Sequence, residues 1–331
     1  LQLRVHRFDS VLSLQIMKIL VTGSSGFIGF HLCCNLLNKG HQITGIDNLN
    51  NFYDIKLKKE RSKILKTNKN FFNYECDIND LHHNVKGNFD IAINLAAQAG
   101  VRLPKSQNYK YTNSNITGFS SFLNFCKNKD IKNIIYASSS SVYSGNKNSA
   151  FIETEELLKP KSFYGETKIN NEIQASKFAK RNNSKIIGLR FFTVYGPFGR
   201  PDMAYYNFTN QILSGKKITL FNEGNTYRDM TFIDDVCNGI ESVINSFKTI
   251  QGHELFNIGN EFPINTKKLI YSIENKFGLK AKISNVINNS EVTKTYANCK
   301  KSRDVLGYNP STTFDDGINF FFDWYKKFYN L

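Results

Sequence analysis

Apolar residues along this chain come in short runs separated by stretches of helical period. From Met17 onward, Lys18-Ile-Leu-Val-Thr22 reads as a buried strand, Phe27 to Asn38 as a helix closed by Gly40, and Gln42-Ile-Thr-Gly-Ile-Asp47 as the next strand. A charged helix is predicted over 53–67, a strand over 71–75, a short helix near 79–85 and a strand over 90–95. A longer helix covers 108–128, then come a strand at 133–137, a helix at 162–181 and a strand at 185–190. Apolar strands alternating with helices predict β-α-β units and a parallel sheet covered on both faces; right-handed crossovers make it doubly wound. After about 192 the rhythm changes. Helices near 204–214, from 233, at 265–277 and at 315–329 enclose a strand at 217–221, which predicts a smaller C-terminal α/β domain whose chain crosses back to the first. The expected division is an extension over 1–16, with Met17 as the natural start, a first domain over 17–192 and a second over 193–331. No internal repeat is evident.

Composition narrows the classes. The chain has 331 residues, 40% hydrophobic and 21% charged, with six Pro and 21 Gly, which excludes fibrous and low-complexity readings. No apolar run approaches the ~18 residues of a membrane-spanning helix, so no membrane insertion is expected. The charge is lopsided, 43 basic residues against 28 acidic. Only nine of the 43 are Arg, and the Lys are scattered over 56–69, 127–132, 177–185 and 216–217 without interleaved aromatics. That distribution predicts a solvated surface and no nucleic-acid partner. Six Cys show no C-x-x-C pair and no metal-ligand spacing with the six His. No metal is expected, and a reducing, cytoplasmic compartment is. Residues 1–16 lack the long apolar core of a secretory signal.

The first strand-to-helix junction carries chemistry. Thr22-Gly23-Ser-Ser-Gly26-Phe27-Ile28-Gly29 follows a strand and opens a helix. Glycines there allow a tight turn and close approach of a pyrophosphate to the free N–H groups of a helix start. Asp47 ends the second strand, followed by Asn48. A carboxylate there accepts both hydroxyls of an adenosine ribose and repels a 2′-phosphate, which favours NAD over NADP; the alternative is a cap for the next helix. Asp77 and Ile78, after the third strand, are placed to reach adenine. Leu95, Ala96 and Ala97 end the fourth strand with small residues, as close approach to a cofactor needs. These features predict a Rossmann-type dinucleotide domain.

Tyr-x-x-x-Lys puts a phenol and an ammonium on one helix face, where the ammonium lowers the phenol pKa. The motif alone is weak: 16 Tyr and 34 Lys give roughly 1.6 chance matches, and three occur, at Tyr143/Lys147, Tyr164/Lys168 and Tyr296/Lys300. Context favours Tyr164/Lys168. It opens a helix after Pro160, and Ser139 lies upstream at the C-terminal end of a strand, the edge where doubly wound sheets bind ligands.

The combination resembles the extended short-chain dehydrogenase/reductases, specifically the NAD-dependent nucleotide-sugar epimerases. The matching segments are TGSSGFIG, NLAAQAGVR, ASSSSVY, YGETK, LRFFTVYGPFGRPDMA and YRDMTFIDDV. The closest subgroup is similar to the UDP-glucuronate 4-epimerases, through Thr193-Val-Tyr-Gly-Pro-Phe-Gly-Arg200-Pro-Asp-Met-Ala204. The resemblance implies Tyr164 as the base at the sugar 4-hydroxyl, Lys168 on the nicotinamide ribose, and Ser139 on the reacting oxygen. It implies a 4-keto intermediate that rotates and takes the hydride back on its other face. Related dehydratases carry an Asp-Glu pair where Ser140 and Ser141 stand, and decarboxylating relatives keep a Glu at Ser141. Arg200 offers a clamp for the sugar carboxylate, with Ser141 and Thr193 as partners; Arg228 and Arg303 would meet the UDP diphosphate, with Arg102 near the substrate or the diphosphate. The segment from Asn113 to Gly118 is expected beside the cofactor, with Asn115 either there or an ordinary helix residue. The family also implies a homodimer through the helices at 108–128 and 162–181. Alternatives are a UDP-hexose 4-epimerase, a UDP-glucuronate decarboxylase and, in another class, a silent NAD(P)-sensing module.

Overall fold

A computed structural model of the chain describes residues 15–146, 150–155, 158–287 and 293–331; most of the predicted extension and Lys147 lie outside these residues. In chain order the strands are β1 Lys18–Thr22, β2 Gln42–Ile46, β3 Phe71–Tyr74, β4 Ile91–Asn94, β5 Asn133–Ser139, β6 Ala150–Phe151 and β7 Lys185–Phe191. There follow β8 Thr193–Tyr195, β9 Lys217–Phe221, β10 Tyr227–Phe232, β11 His253–Ile258, β12 Pro263–Asn265, β13 Lys282–Val286 and β14 Lys294–Ala297. Seven form one parallel sheet in the order β11-β7-β5-β4-β1-β2-β3. The direction of winding reverses between β1 and β4, so their carboxyl ends frame the crevice where such sheets bind ligands.

The strands read as unbroken apolar runs because both faces are covered. Ile19 and Val21 of β1 join Ile43, Ile93, Ile135 and Ile187 in one core, whereas Leu20 joins Ala92, Ile134, Tyr136 and Ile186 in the other. The second core packs against the helix Gly118–Asn128, through Phe119, Phe122 and Phe125, and the helix Phe163–Asn182, through Ala175 and Ala179. Ser162 caps the latter helix by accepting from Gly165 N at 3.1 Å, and left-handed Asn183 ends it.

The helix expected over 108–128 departs from the reading. It is interrupted by a π-helical segment, Thr112–Thr117, between α-helical Asn108–Tyr111 and Gly118–Asn128. Buried Asn115 supplies the reason. Its amide pairs with both backbone groups of Gln98 (2.8 and 3.1 Å) and with Thr167 Oγ1, and Asn171 Nδ2 donates to its carbonyl at 2.6 Å. The widened turn exchanges in-helix bonds for bonds to the loop after β4 and to the helix Phe163–Asn182.

The second sheet runs β12-β10-β14-β6, with β8 also pairing β10, and β9 pairs β13 separately. A boundary drawn at 192 is crossed in both directions. β11 returns to the seven-stranded sheet beside β7, and β6 leaves to pair with β14. The chain therefore brings the C-terminal end of β5 and the second sheet to one crevice.

The loop joining the two halves is pinned from the first helix. His31 Nε2 pairs with Pro197 O at 2.8 Å, and burial lowers the His31 pKa to about 4. Folded His31 thus stays neutral where an unfolded chain takes up a proton. Stability should fall as pH drops from about 6.5 towards 4, by ~2 kcal/mol at pH 5 and ~3 kcal/mol at pH 4 from this residue. Comparing the pH 5 minus pH 7.5 melting shift of the wild type with that of His31→Gln checks this; the variant should show the smaller shift.

Candidate active site

The turn after β1 is built as an anion cradle. Gly23 N and Ser24 N donate to Ile46 O, which bends the chain back over β2. Gly23 has φ +73°, and a Cβ there would sit 2.8 Å from Ala96 N. A Cβ on Gly29 would lie 2.1 Å from Gly23 O. The helix Phe27–Asn38 begins with no side-chain cap, so its first N–H groups await an acceptor, and the Ser24 and Ser25 hydroxyls are buried without partners among the described residues. These orphan donors fit the pyrophosphate of a dinucleotide. Gly29→Ala should push the turn out of register and lower dinucleotide affinity by about ten-fold or more, measurable as the NAD retained by purified protein.

Asp47 is not a helix cap. That task falls to Asp54, which accepts from Lys56 N. Asp47 instead accepts from Ser25 N at 3.1 Å and Leu49 N at 2.9 Å, with Lys58 Nζ 3.9 Å away. Asp77 binds Asn48 Nδ2 at 2.8 Å and caps the turn at Ile78–Asp80. The Ile78 side chain packs against Gly118 in the core rather than into the crevice. Asn48, Asp77, Gln98 and Asn113 line an open cavity of about 850 Å³. Phe27 is buried and Ile28 half-buried under the turn, and Leu95, Ala96 and Ala97 are half-buried beside it.

Ser139, Tyr164 and Lys168 converge at the end of β5. Ser139 Oγ accepts from Ser141 N and donates to Ser141 Oγ, both at 3.1 Å, and Ser140 opens the short turn between them and Tyr143. Ser139 also lies close enough to Tyr164 to lower its phenol pKa. Lys168 Nζ donates to Ala137 O at 2.8 Å and stands 5.6 Å from the centre of the Tyr164 ring.

The electrostatics differ from the expected pattern. Burial raises the Tyr164 pKa above that of a free phenol; the Arg200 charge and the Ser139 hydroxyl oppose the rise. Lys168 is bound to a backbone carbonyl, and burial brings its own pKa down to about 8 against the pull of Glu172. The largest pull lowering the phenol pKa comes from Arg200, in the loop after β8.

Arg200 is mostly buried. Its Nε and Nη2 bind both oxygens of Asp202, at 3.1 and 2.6 Å. Thr193 begins β8, half-buried. The other arginines stand on separate elements, Arg102 in the loop after β4, Arg228 in β10 and Arg303 in the helix Lys300–Leu306. The Arg102 guanidinium lies 5.2 Å from the Phe221 ring centre, Arg228 Nη1 donates to Tyr227 O, and Arg303 pairs with Glu261 at 2.8 Å.

Behind the triad lies a buried network that sequence reasoning missed. Arg190 grips Glu172 through Nε at 2.9 Å and Nη2 at 2.8 Å. Glu172 also accepts from Ser138 Oγ at 2.6 Å, and Arg190 reaches Tyr143. The signals were present: Glu172 extends the four-residue spacing of Tyr164 and Lys168, and Arg190 is a charge inside an apolar strand whose other charge, Lys185, stands at its start.

This arrangement holds a partly buried phenol, with a hydroxyl and a cation near it, beside a dinucleotide cradle, as proton and hydride transfer at a carbinol carbon requires. A profile of the NAD-dependent epimerase/dehydratase family matches residues 19–259. An uncharacterized protein of Methanocaldococcus jannaschii is 42% identical over 94% of this chain and 96% of its own length. UDP-glucuronate 4-epimerase 4 of Arabidopsis thaliana is 38% identical over 95% of this chain and 76% of its own. UDP-glucuronic acid 4-epimerase of Bacillus cereus, solved with UDP-glucuronic acid and NAD, superposes with a TM-score of 0.87 at 34% identity, covering 95% of this chain and all of that one.

Proposed function

This chain belongs to the NAD-dependent epimerase/dehydratase family, and on that premise we propose that it interconverts UDP-glucuronate and UDP-galacturonate by inverting sugar C4. The observation that carries the choice of substrate is Arg200, mostly buried, on the loop that follows β8, the strand half-buried Thr193 begins, with its charge acting on Tyr164 and its fork already matched to a carboxylate, that of Asp202. A neutral hexose has no use for a desolvated guanidinium. The relatives named UDP-glucuronate 4-epimerase support the same reading over nearly the whole chain.

Bound in this cradle, NAD would supply the reversible hydride acceptor for sugar C4. Gly23, Gly26 and the start of the helix Phe27–Asn38 hold its pyrophosphate, Asp47 its adenosine ribose, and Asn48 and Asp77 the adenine end. Tyr164 takes the proton from the 4-hydroxyl and gives it back on the opposite face, and Ser139 holds the reacting oxygen. Lys168 secures the nicotinamide ribose from its anchor on Ala137. Arg200, with Ser141 and Thr193, keeps the carboxylate of the 4-keto sugar, a β-keto acid, away from the geometry in which the bond to CO2 overlaps the carbonyl. Ser140 and Ser141 offer no carboxylate to eliminate water. Arg102, Arg228 and Arg303 engage the UDP diphosphate.

The six cysteines are free, which supports a cytoplasmic location, and no helix among the described residues is long and apolar enough to cross a membrane. Exposed Ile173, on the helix Phe163–Asn182 that packs on the second core, supports a homodimer through that helix. The deciding experiment is incubation of pure protein with UDP-glucuronate and chromatographic separation of products. Appearance of UDP-galacturonate without net NADH supports the reading. Release of CO2 would select a decarboxylase, and faster turnover of UDP-glucose a hexose epimerase.

A further inference from the structure

The helix Ile55–Lys66 carries six Lys or Arg, and one of them, Arg61, is fully buried. Its Nη1 donates to Ser25 O at 3.0 Å and to Tyr53 OH at 2.6 Å, and its Nη2 to Phe198 O at 2.5 Å and Gly199 O at 3.0 Å. No carboxylate pairs with it among the described residues, and its Nε is buried without a partner. A desolvated guanidinium held only by neutral acceptors is an expensive fixture for stability alone. What it joins explains its retention. Ser25 belongs to the phosphate-binding turn, and Phe198 and Gly199 immediately precede Arg200.

The loop it grips is otherwise set in one conformation. Phe198 has φ +51°, the left-handed region that a bulky residue enters only when its surroundings impose it. Its ring packs between Phe30 and Trp324, each at 5.0 Å between centroids, and His31 holds Pro197 O. With the Phe198 ring and the carbonyls of Phe198 and Gly199 all fixed, the direction in which the chain delivers Arg200 is fixed too.

We propose that Arg61 is a positioning residue: it braces the 197–200 loop against the phosphate-binding turn and thereby aims Arg200 at the carboxylate of the sugar. Affinity for an anionic nucleotide sugar depends on Arg61, and affinity for its neutral counterpart does not. The proposal rests on the reading of Arg200 above, and the test separates the two.

Holoprotein carrying Tyr164→Phe, to suppress turnover, is titrated calorimetrically with UDP-glucuronate and with UDP-glucose, alone and with Arg61→Lys, Arg200→Met or both. Retained NAD and melting temperature are recorded for each. Lysine keeps the charge but cannot bridge four oxygens as a planar fork does. Arg61→Lys should weaken UDP-glucuronate about ten-fold and UDP-glucose less than about two-fold, and should add almost nothing once Arg200 is Met. If Arg200→Met leaves UDP-glucuronate affinity intact, the carboxylate reading fails. If Arg200→Met removes the preference but Arg61→Lys weakens both sugars alike, or adds its full loss on top of Arg200→Met, Arg61 is a structural brace and the proposal is overturned. Should Arg61→Lys not fold, Tyr53→Phe, which removes one of the four acceptors, carries the same comparison: a loss confined to UDP-glucuronate supports the proposal, and an equal loss or none overturns it.

Discussion

Tyr164→Phe is expected to lower epimerisation by about 10³-fold or more while the protein keeps its NAD and melts within a few degrees of the wild type. Only the hydroxyl is removed, and general acid–base catalysis by one positioned group contributes ~10²–10⁴. The ring remains in place beside Tyr111 (6.0 Å between centroids) and above Lys168, so packing changes little. The hydroxyl is also where three influences meet: burial raises its pKa, whereas Arg200 and Ser139 lower it. An enzyme that needs the phenolate should therefore gain rate with rising pH, and raising the pKa further by removing Arg200 should displace that limb to higher pH. Product assay, NAD released on denaturation and a melting curve check the first expectation together. Turnover within ten-fold of the wild type would remove Tyr164 from the proton transfer.

The first half of the fold was legible in the sequence because its physics is local. Strands covered on both faces are runs of Ile, Val and Leu, and their helices are capped and ended by the residues that do so in isolation, Ser162 and Asn183 among them. In the second half the long helices and β9 were equally legible, but most of the other strands were not. β10 reads Tyr-Arg-Asp-Met-Thr-Phe, and its polar members are inside: Asp229 is fully buried, accepting from the backbone of Asn260, Glu261 and Ala297 and from Thr231. Such a strand carries no apolar period until its distant partners are known. β13 is exposed along its whole length and shows no pattern for the opposite reason. The π-helical segment was invisible because Asn171, far along the chain, takes the carbonyl it frees.

The site divides in the same way. Gly23, Gly29 and Asp47 declare themselves by their place after a strand, and Tyr164 by its helix and its distance from Ser139. Lys168 stands where the motif puts it, 5.6 Å from the Tyr164 ring centre and held by the Ala137 carbonyl. Arg61 and Lys58 were hidden for a plainer reason. In a helix reading Ile-Lys-Leu-Lys-Lys-Glu-Arg-Ser-Lys-Ile-Leu-Lys, nothing local distinguishes the two buried cations from their solvated neighbours. Burial against another segment decides which charges of a basic chain matter, and net charge is silent about it.

Arg200→Met should lower kcat/KM for UDP-glucuronate by about 10²–10³ and leave binding of UDP-glucose almost unchanged. A charge-assisted bond to a desolvated carboxylate contributes ~2–4 kcal/mol, which is that range in rate or affinity. Methionine approximates the stem of arginine, so the loop keeps its packing, but Asp202 loses its bidentate partner. Asp202→Asn in the same chain removes that stranded charge and should restore stability without restoring affinity for UDP-glucuronate. The fate of the residual turnover is the sharper sign. With no cation holding the carboxylate, the 4-keto acid is free to rotate until its carboxyl bond overlaps the carbonyl, and part of the flux should leave as CO2 and a UDP-4-ketopentose, which either departs with the cofactor left reduced or takes the hydride back to give a UDP-pentose and oxidised cofactor. Substrate labelled in the carboxyl carbon reads this partition directly. If the variant loses UDP-glucose binding to the same degree, Arg200 serves the nucleotide or the fold; if residual product is entirely UDP-galacturonate, the restraint on the carboxylate lies with Ser141 and Thr193.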